Sequence, residues 1–482
     1  MYHMKTIYRL IIIFGISGLF FVSCEDFLDI NEDPGVPTSG EVTEAVSLPG
    51  VLGRWAYNGV SQISIDKMYM NLQLTREGAS VGGQIWGNFV TPSNSGTPWG
   101  LYTSLLNQAM FLRNLAMTNG NPHYQGIAEI IAAWSLATLT DFYGPVPAEE
   151  AIRFPEINQP RFDTQEQVYA RVFSMLDAAI ANLGTAPGQQ KRVVGKDDLV
   201  FSGDIEKWRR LAHSLKARYQ MRLTYAPGKS ATTQADAVLA ALGNGMRSNA
   251  DDALFRHFSG TGFQSGYFEF GRNWTDVQAL TPSPFLVDAM LAQEDPRLPV
   301  YFTTDINGGY SGWISGQMFD PARRPSRISA AFVGPSYPET FMNYVECKFL
   351  EAEAYALKGM WTQAENAFRE AVAADMAKGG IGGEAISAFL AQFTFPQQVE
   401  QAQELLMLQK YISNYMTNFE MHFDFIRTGY PRMNFMENID GAASATTVPR
   451  RFPYPNSEKD RNPNTPDNTF NPLTSKIWWD NK

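Results

Sequence analysis

Apolar residues recur at helical spacing along much of the chain, and polar stretches separate the segments that carry this pattern. The segments 101–117 and 124–140 have apolar residues every three or four positions, which predicts amphipathic helices. The segment 164–183 has the clearest pattern, with Asp163 as the predicted N-cap and Gly184 as the predicted end. The hydrophobic pattern therefore predicts a mainly α-helical fold.

One predicted helix pair, at 351–375, has the spacing of a helical repeat. Small residues let two antiparallel helices approach closely, and aromatic residues fill the gap to the next pair. Partial matches to the same spacing begin at Ile127 and Trp208. We therefore expect a tetratricopeptide-like core, with ordinary helical hairpins of coincidental spacing as the alternative. The positions that match the repeat are Ala352, Tyr355, Ala364, Phe368 and Ala371.

Three long stretches, 77–100, 256–276 and 305–338, interrupt the helical pattern. They are rich in Gly, Ser, Asn, Pro and aromatic residues. Loops of this length in a compact domain are usually functional or disordered, and their aromatic content favours function. The tail 448–482 is rich in Pro and Asn, which predicts an extended segment packed along the surface.

The amino-terminal segment has a different pattern. Lys5 and Arg9 precede the apolar run 10–22. This run is shorter than the ~20 residues that a membrane-spanning helix needs, and it is typical of a secretory signal peptide. Cys24 follows directly behind the small residue Ser23, as in the lipobox of bacterial lipoproteins.

The lipobox resemblance implies that Cys24 is acylated and becomes the first residue of the mature protein. Phe21 departs from the pattern, because lipoboxes usually carry Leu at that position. A plain secreted protein with a free cysteine is the alternative. The predicted division is a signal peptide at 1–23, a lipidated tether at 24–40 and a single helical domain at 41–482.

Composition and charge narrow the possible partners. The formal net charge is -10, and removal of Lys5 and Arg9 with the signal peptide would make it more negative. An acidic chain repels phosphate backbones, so we predict no nucleic-acid binding. The chain has two cysteines, Cys24 and Cys347. If Cys24 carries lipid, no internal disulfide can form, and Cys347 is predicted to be a buried apolar residue.

The sequence offers no motif for catalysis or for a cofactor. Its five histidines include no HxxxH or HExxH arrangement, and no phosphate-binding glycine loop is present. We therefore predict no metal site, no cofactor and no catalytic residue. Glycoside hydrolysis requires only two carboxylates beside a cleft. With 49 acidic residues in the chain, a hydrolase stays open as the enzymatic alternative.

The three loops combine aromatic residues with amides and an arginine. Flat rings offer apolar contact with little loss of conformational entropy, and amide and guanidinium groups can fix hydroxyls through hydrogen bonds. This combination suits a neutral, hydroxyl-rich ligand such as a sugar chain. The alternative is that these aromatic residues only pin the loops to the helices. The predicted glycan-contacting residues are Trp86, Asn88, Trp99, Tyr267, Arg272, Asn273, Trp274, Tyr310 and Trp313.

Several segments, in order along the chain, resemble the SusD/RagB family of outer-membrane lipoproteins, and particularly its SusD-like branch. Each segment alone is a weak signal, but their order and spacing cover nearly the whole mature chain. They include WSLATLTDFYGPVPAEEA and FEMHFDFIRTGYP. The matching segments are 23–29, 134–151, 207–222, 344–359, 419–431 and 448–458.

The resemblance implies a right-handed superhelix of tetratricopeptide-like units, decorated by long ligand-binding loops. It also implies a non-catalytic lipoprotein that is anchored in the outer membrane and faces the cell exterior. Members of this family capture oligosaccharides, or in some systems peptides, and deliver them to a SusC-like TonB-dependent transporter. A peptide-capturing member therefore remains an alternative to a glycan-binding one.

Overall fold

The computed structural model describes the residues 42–64, 73–76, 92–93, 96–153, 155–260, 264–272, 280–313, 320, 322–433 and 449–482. Helices dominate these ranges, which confirms the predicted mainly α-helical fold. Strands in these ranges form two antiparallel sheets of two strands each. None of the helices in the described ranges is both long enough and apolar enough to cross a lipid bilayer.

The α-helices are α1 (Glu44–Arg54), α2 (Gly96–Trp99), α3 (Asn107–Asn119), α4 (Pro122–Tyr143), α5 (Gln165–Leu183), α6 (Ile205–Arg222), α7 (Ala231–Leu242), α8 (Gly266–Arg272), α9 (Pro284–Ala292), α10 (Leu298–Tyr301), α11 (Tyr344–Leu357), α12 (Trp361–Lys378), α13 (Gly383–Ala391), α14 (Val399–Ser413), α15 (Glu420–Thr428) and α16 (Asn456–Lys459). The strands are β1 (Leu74–Arg76), β2 (Ala253–Phe255), β3 (Leu280–Pro282) and β4 (Glu339–Met342). β1 pairs with β3, and β2 pairs with β4. Short 3-10 turns occupy Leu223–Tyr225 and Asn249–Asp251, and π-helical segments occupy Trp55–Ser61 and Tyr102–Leu106.

Consecutive helices form the main packing units: α4 packs on α5, α6 on α7, and α11 on α12. Gly126 of α4 lets α5 approach closely. A Cβ at that position would lie 2.7 Å from Leu183 Cγ and 3.0 Å from the Ala179 carbonyl oxygen. A larger residue at position 126 would therefore force the two helices apart.

The predicted repeat hairpin is confirmed in α11 and α12. Gly359 lies in the turn between the two helices with φ 70°, a left-handed conformation that glycine adopts without strain. Tyr355 is half-buried beside the hairpin core. Because the small residues face inward, the two helices can pack closely. The fully buried repeat positions are Ala352, Ala364, Phe368 and Ala371.

Two predictions about helices need correction: the start of α5 and the continuity of the helix predicted at 101–117. The N-cap of α5 is Thr164, which forms a capping box with Gln167, and not Asp163. The carboxylate of Asp163 instead accepts hydrogen bonds from the backbone N–H groups of Ala148 and Glu149, both at 2.8 Å. The predicted helix 101–117 is divided into a π-helical segment and α3.

The prediction that the tail lies along the surface is wrong for Trp479. This side chain is fully buried, and its Nε1 donates a hydrogen bond of 2.7 Å to Oδ1 of Asp141 in α4. The next residue, Asp480, pairs with Arg450. The tail therefore enters the core and is fixed there by both apolar and polar contacts.

Two arginines of α6 are buried and paired with acids from three other helices. Arg218 binds both carboxylate oxygens of Glu346 in α11 at 2.6 Å. Arg222 pairs with Glu420 of α15, and its Nε lies 3.3 Å from Oδ2 of Asp141 in α4. Removing one partner from a buried ion pair destabilises a protein by about 3–5 kcal/mol. These pairs therefore require α4, α6, α11 and α15 to dock together.

A second group of buried charges lies beside the first. Arg427 of α15 donates to both oxygens of Glu353 in α11, at 2.7 and 2.8 Å. Asp424 lies 2.6 Å from the ammonium of Lys410 in α14 and 3.1 Å from Arg427. Burial alone would raise the pKa of Asp424, but the charges of Lys410, Arg427 and Arg222 outweigh burial and hold that pKa well below its usual value.

We expect Asp424→Asn to lower the free energy of unfolding at pH 7 by about 3–5 kcal/mol, because Lys410 and Arg427 lose a buried counter-charge. The depressed pKa means that the carboxylate stabilises the fold above pH ~4 and loses this effect as the pH falls further. The deficit of the variant should therefore shrink between pH 5 and pH 3 in urea unfolding curves.

The control is Asp177→Asn, which breaks the exposed pair with Lys216 and should change stability by less than about 1 kcal/mol at any pH. A deficit in Asp424→Asn of the same size at pH 7 and pH 3 would contradict the assigned role of the carboxylate.

Candidate functional site

Aromatic side chains from four separate segments meet around Trp99. The indole lies 4.9 Å from the ring of Tyr143 and 5.0 Å from that of Tyr102, measured between centroids. The rings of Tyr454 and Phe162 lie 5.9 and 6.1 Å away. These four rings come from the π-helical segment after α2, the end of α4, the loop between α4 and α5, and the tail, and Trp99 itself ends α2. We call these five residues the Trp99 platform.

The platform has a buried floor and a more open upper layer. Tyr143 and Tyr454 are buried, whereas Trp99, Tyr102 and Phe162 are half-buried. Tyr143 and Tyr454 meet the indole nearly edge-on, at 86° and 80°, a favoured geometry for aromatic pairs. The indole is therefore supported from below and held in one orientation.

Hydrogen bonds fix the phenol groups of the platform. Tyr102 donates to the Pro147 carbonyl at 2.6 Å, and Tyr454 donates to the Pro145 carbonyl at 2.7 Å. The backbone N–H of Trp99 donates to the Tyr143 hydroxyl at 3.1 Å. Burial raises the pKa of Tyr143 well above its usual value and that of Tyr454 to about 12. The platform floor therefore stays uncharged at physiological pH.

Charged residues on the loop that carries Phe162 form pairs with arginines. Arg161 binds Glu150 at 2.6 Å, and Arg171 binds Glu149 at 2.5 Å. Both carboxylates are therefore engaged in ion pairs.

A second convergence of loops lies at the β1–β3 pair, where Leu74 faces Pro282 and Arg76 faces Leu280. The segment 77–91 begins after Arg76, and the segment 273–279 ends before Leu280. The two segments therefore leave from the same end of the small sheet.

The third loop joins the same sheet. The backbone N–H of Trp313 donates to the Pro282 carbonyl at 3.1 Å. Gly312 packs so tightly that a Cβ there would lie 2.4 Å from Pro284 N. All three loops predicted to bind ligand are therefore tied to the β1–β3 pair.

Residues 60–455 match the sequence family described as SusD-like, "Starch-binding associating with outer membrane". The chain belongs to the SusD-like family. The comparison with curated proteins found no significant match.

Solved structures share the fold of this SusD-like protein. A SusD/RagB family protein from Bacteroides thetaiotaomicron is 23% identical with a TM-score of 0.75, covering 91% of this chain and 99% of its own. A Bacteroidetes SusD-like protein is 18% identical with a TM-score of 0.77, covering 92% and 100%. A chitin-binding protein is 22% identical with a TM-score of 0.74, covering 91% and 100%. At these identities the likeness establishes the fold alone.

The predicted contact residues have different outcomes in the SusD-like structure. Trp99 is half-buried in the platform, and Tyr310 is half-buried in a turn fixed by the Asp305 side chain. Arg272 is the last residue of α8 and is described by its backbone only. The residues Cys24, Trp86, Asn88, Asn273 and Trp274 lie outside the described ranges.

The prediction that Tyr267 and Trp313 offer exposed rings for stacking on a ligand needs correction. Tyr267 is fully buried, with its ring 5.9 Å from that of Tyr337, and Trp313 is only 3% exposed. Both side chains pack beneath long loops, which require apolar anchors. For these two positions the alternative reading, in which aromatic residues pin the loops, describes the structure.

The sequence analysis missed four members of the platform: Tyr102, Tyr143, Phe162 and Tyr454. Tyr143 and Tyr454 lie inside the family-like segments 134–151 and 448–458, and this position was the sequence signal that could have identified them. Local patterns cannot join residues such as Pro145 and Tyr454, which are 309 positions apart. Within the described ranges, no group of His, Cys, Asp and Glu is arranged to hold a metal ion.

We expect Tyr454→Ala to lower the free energy of unfolding by about 3–5 kcal/mol, because it removes a buried ring from under Trp99. Tyr454→Phe keeps the ring and leaves the Pro145 carbonyl without its donor, so the expected loss is about 1 kcal/mol. Urea unfolding followed by tryptophan fluorescence measures both. Tyr57→Ala, at a residue 43% exposed, is the control. Equal stability of Tyr454→Ala and the wild type would refute the platform packing.

Proposed function

We propose that this SusD-like protein is a non-catalytic, cell-surface lipoprotein that captures oligosaccharides and delivers them to a SusC-like TonB-dependent transporter. The single observation that carries glycan binding is the Trp99 platform. Its indole is partly open to solvent, supported from below by buried rings, and surrounded by uncharged phenols. A pyranose ring has an apolar C–H face that fits such a surface.

The preorganisation of the platform favours binding over simple packing. The indole and the phenols are held by ring contacts and by hydrogen bonds to backbone carbonyls. A ligand that stacks on Trp99 would therefore meet a surface that loses little conformational entropy on binding. Both the family description, which names starch binding, and the chitin-binding neighbour support a neutral glycan as ligand.

The loops at the β1–β3 pair form a second proposed contact region. Trp86 and Asn88 lie on the segment that follows Arg76, and Asn273 and Trp274 lie on the segment that precedes Leu280. Because both segments leave the same end of the sheet, we propose that these four residues contact the same ligand, together with Arg272 and Tyr310.

The glycan proposal is tested by titration calorimetry with chitohexaose and by affinity electrophoresis in amylopectin. We expect wild-type protein to bind at least one of them. Trp99→Ala should lose about 1–2 kcal/mol of binding free energy, or roughly 5- to 30-fold in affinity.

Trp361→Ala is the matched control, because Trp361 is also half-buried but packs against a separate hydrophobic cluster. Its affinity should equal that of the wild type. Unchanged affinity in Trp99→Ala would remove the platform from the proposal. Binding of peptides in competition with the glycan would favour peptide capture, and release of reducing ends would favour a hydrolase.

The proposed anchoring depends on Cys24. In the native host, Cys24→Ala should abolish incorporation of labelled fatty acid and shift the protein from the membrane fraction to the soluble fraction or to the precursor form. One acyl chain binds membranes only marginally, and stable anchoring needs more than one. Acylation of the variant at wild-type level would contradict the lipobox assignment. Cys347→Ala, at a buried thiol, is the control.

A further inference from the structure

One buried carboxylate accepts hydrogen bonds from two separate segments of the chain and contacts a histidine from a third. Glu339 lies at the start of β4 and is fully buried. Its Oε1 accepts hydrogen bonds from the hydroxyl of Ser61, the hydroxyl of Ser265 at 3.3 Å and the backbone N–H of Gly266 at 3.2 Å. Its Oε2 contacts Nε2 of His257. We call these five residues the Glu339 clamp.

Ser61 of the clamp precedes the first ligand loop along the chain, and His257, Ser265 and Gly266 lie within the second. Ser61 ends the π-helical segment Trp55–Ser61, after which the chain continues to β1. His257 follows β2, and Ser265 and Gly266 stand at the beginning of α8, after which the chain continues to β3. One carboxylate therefore joins the stretch that leads to β1 with the stretch that leads to β3.

The same two stretches meet again at their far ends, where β1 pairs with β3. The Gln73 carbonyl, just before β1, also accepts a hydrogen bond of 2.8 Å from the backbone N–H of Ser283. Two chain segments that are joined at both ends have far fewer relative arrangements than segments joined at one end. The clamp and the β1–β3 pair are therefore two junctions between the same parts of the chain. We call the two junctions together the frame.

Gly266 packs so closely against Ser61 that there is no space for a side chain at position 266. A Cβ on Gly266 would lie 2.3 Å from Ser61 Oγ and 2.7 Å from Ser61 Cβ. The start of α8 therefore rests directly on the π-helical segment. Irregular helical turns of this kind recur at functional sites, and here the turn presents Ser61 to the carboxylate.

The buried carboxylate of Glu339 holds these segments together because it needs hydrogen-bond donors. A buried carboxylate without donors is strongly disfavoured, so the two hydroxyls and the backbone N–H must be in place when β4 docks. Among the described residues, the phenols of Tyr267 and Tyr337 also lie near Glu339, and burial raises the pKa of both. They remain neutral and do not compete for the carboxylate.

We propose that Glu339 is a positioning residue for ligand binding, which fixes the first and second loops relative to each other through the clamp. The third loop is attached to the same frame, because Trp313 donates to Pro282 of β3. The functional part of this inference rests on the proposed glycan binding. The structural part, in which the frame depends on one carboxylate, does not depend on which ligand the protein binds.

Hydrogen exchange measured by mass spectrometry tests the frame without any ligand. In Glu339→Ala, backbone amides in 55–64 and 264–272 should exchange at least tenfold faster than in the wild type, while those of α11 and α12 stay unchanged. Glu44→Gln is the matched control. Glu44 is also buried and has three side-chain partners, Asn119, Asn121 and Arg192, but it does not touch the clamp.

The control should leave exchange in 264–272 at the wild-type rate. If Glu339→Ala does not fold, the milder double variant Ser61→Ala with Ser265→Ala removes two donors and should produce the same local acceleration. Wild-type exchange rates at 264–272 in a folded clamp variant would overturn the proposal.

Affinity for amylopectin and chitohexaose tests the functional part. Glu339→Ala should bind the glycan that the wild type binds at least fivefold more weakly, and Glu339→Gln, which keeps an oxygen acceptor, should recover part of the loss. Faster exchange with unchanged affinity would overturn the positioning role. If the wild type binds neither glycan, the proposed function fails, and the exchange experiment alone decides whether the frame exists.

Discussion

The buried ion pairs of α6 are the interaction on which the rest of the structure depends. Arg218 and Arg222 lie one helical turn apart, and each needs a carboxylate from a different helix. Apolar contacts alone would allow neighbouring helices to slide by small amounts. A buried guanidinium accepts only the arrangement in which its donors meet carboxylate oxygens. Charge pairing therefore fixes the register of α4, α6, α11 and α15, and with it the face from which the loops emerge.

The Trp99 platform is coupled to this charged core through the tail. Trp479 donates to Asp141, the same acid that lies beside Arg222, and the guanidinium of Arg222 stacks on the Trp479 ring at 5.4 Å. The tail that is fixed here also supplies Tyr454 to the platform. The platform is thus connected to the ion pairs of the interior, although no charged side chain belongs to the platform itself.

Sequence reasoning succeeded where the determining interactions are local. The spacing of Ala352, Ala364 and Phe368 predicted the hairpin of α11 and α12, because the residues that pack together in this hairpin are close in sequence. It failed where contacts join distant segments. The burial of Tyr267 depends on β4 and on the π-helical segment, and no pattern around position 267 records them. The platform, assembled from five separate segments, was predicted only through Trp99.

The separation of 338 positions between Asp141 and Trp479 has a kinetic consequence. Contacts between distant parts of a chain require closure of a long loop, and proteins dominated by such contacts fold slowly. The helical hairpins can form from contacts that are close in sequence, but Asp141 receives its indole partner only after the long loop between them has closed. The core around Asp141 is therefore completed in a late step of folding, after the helical hairpins have formed.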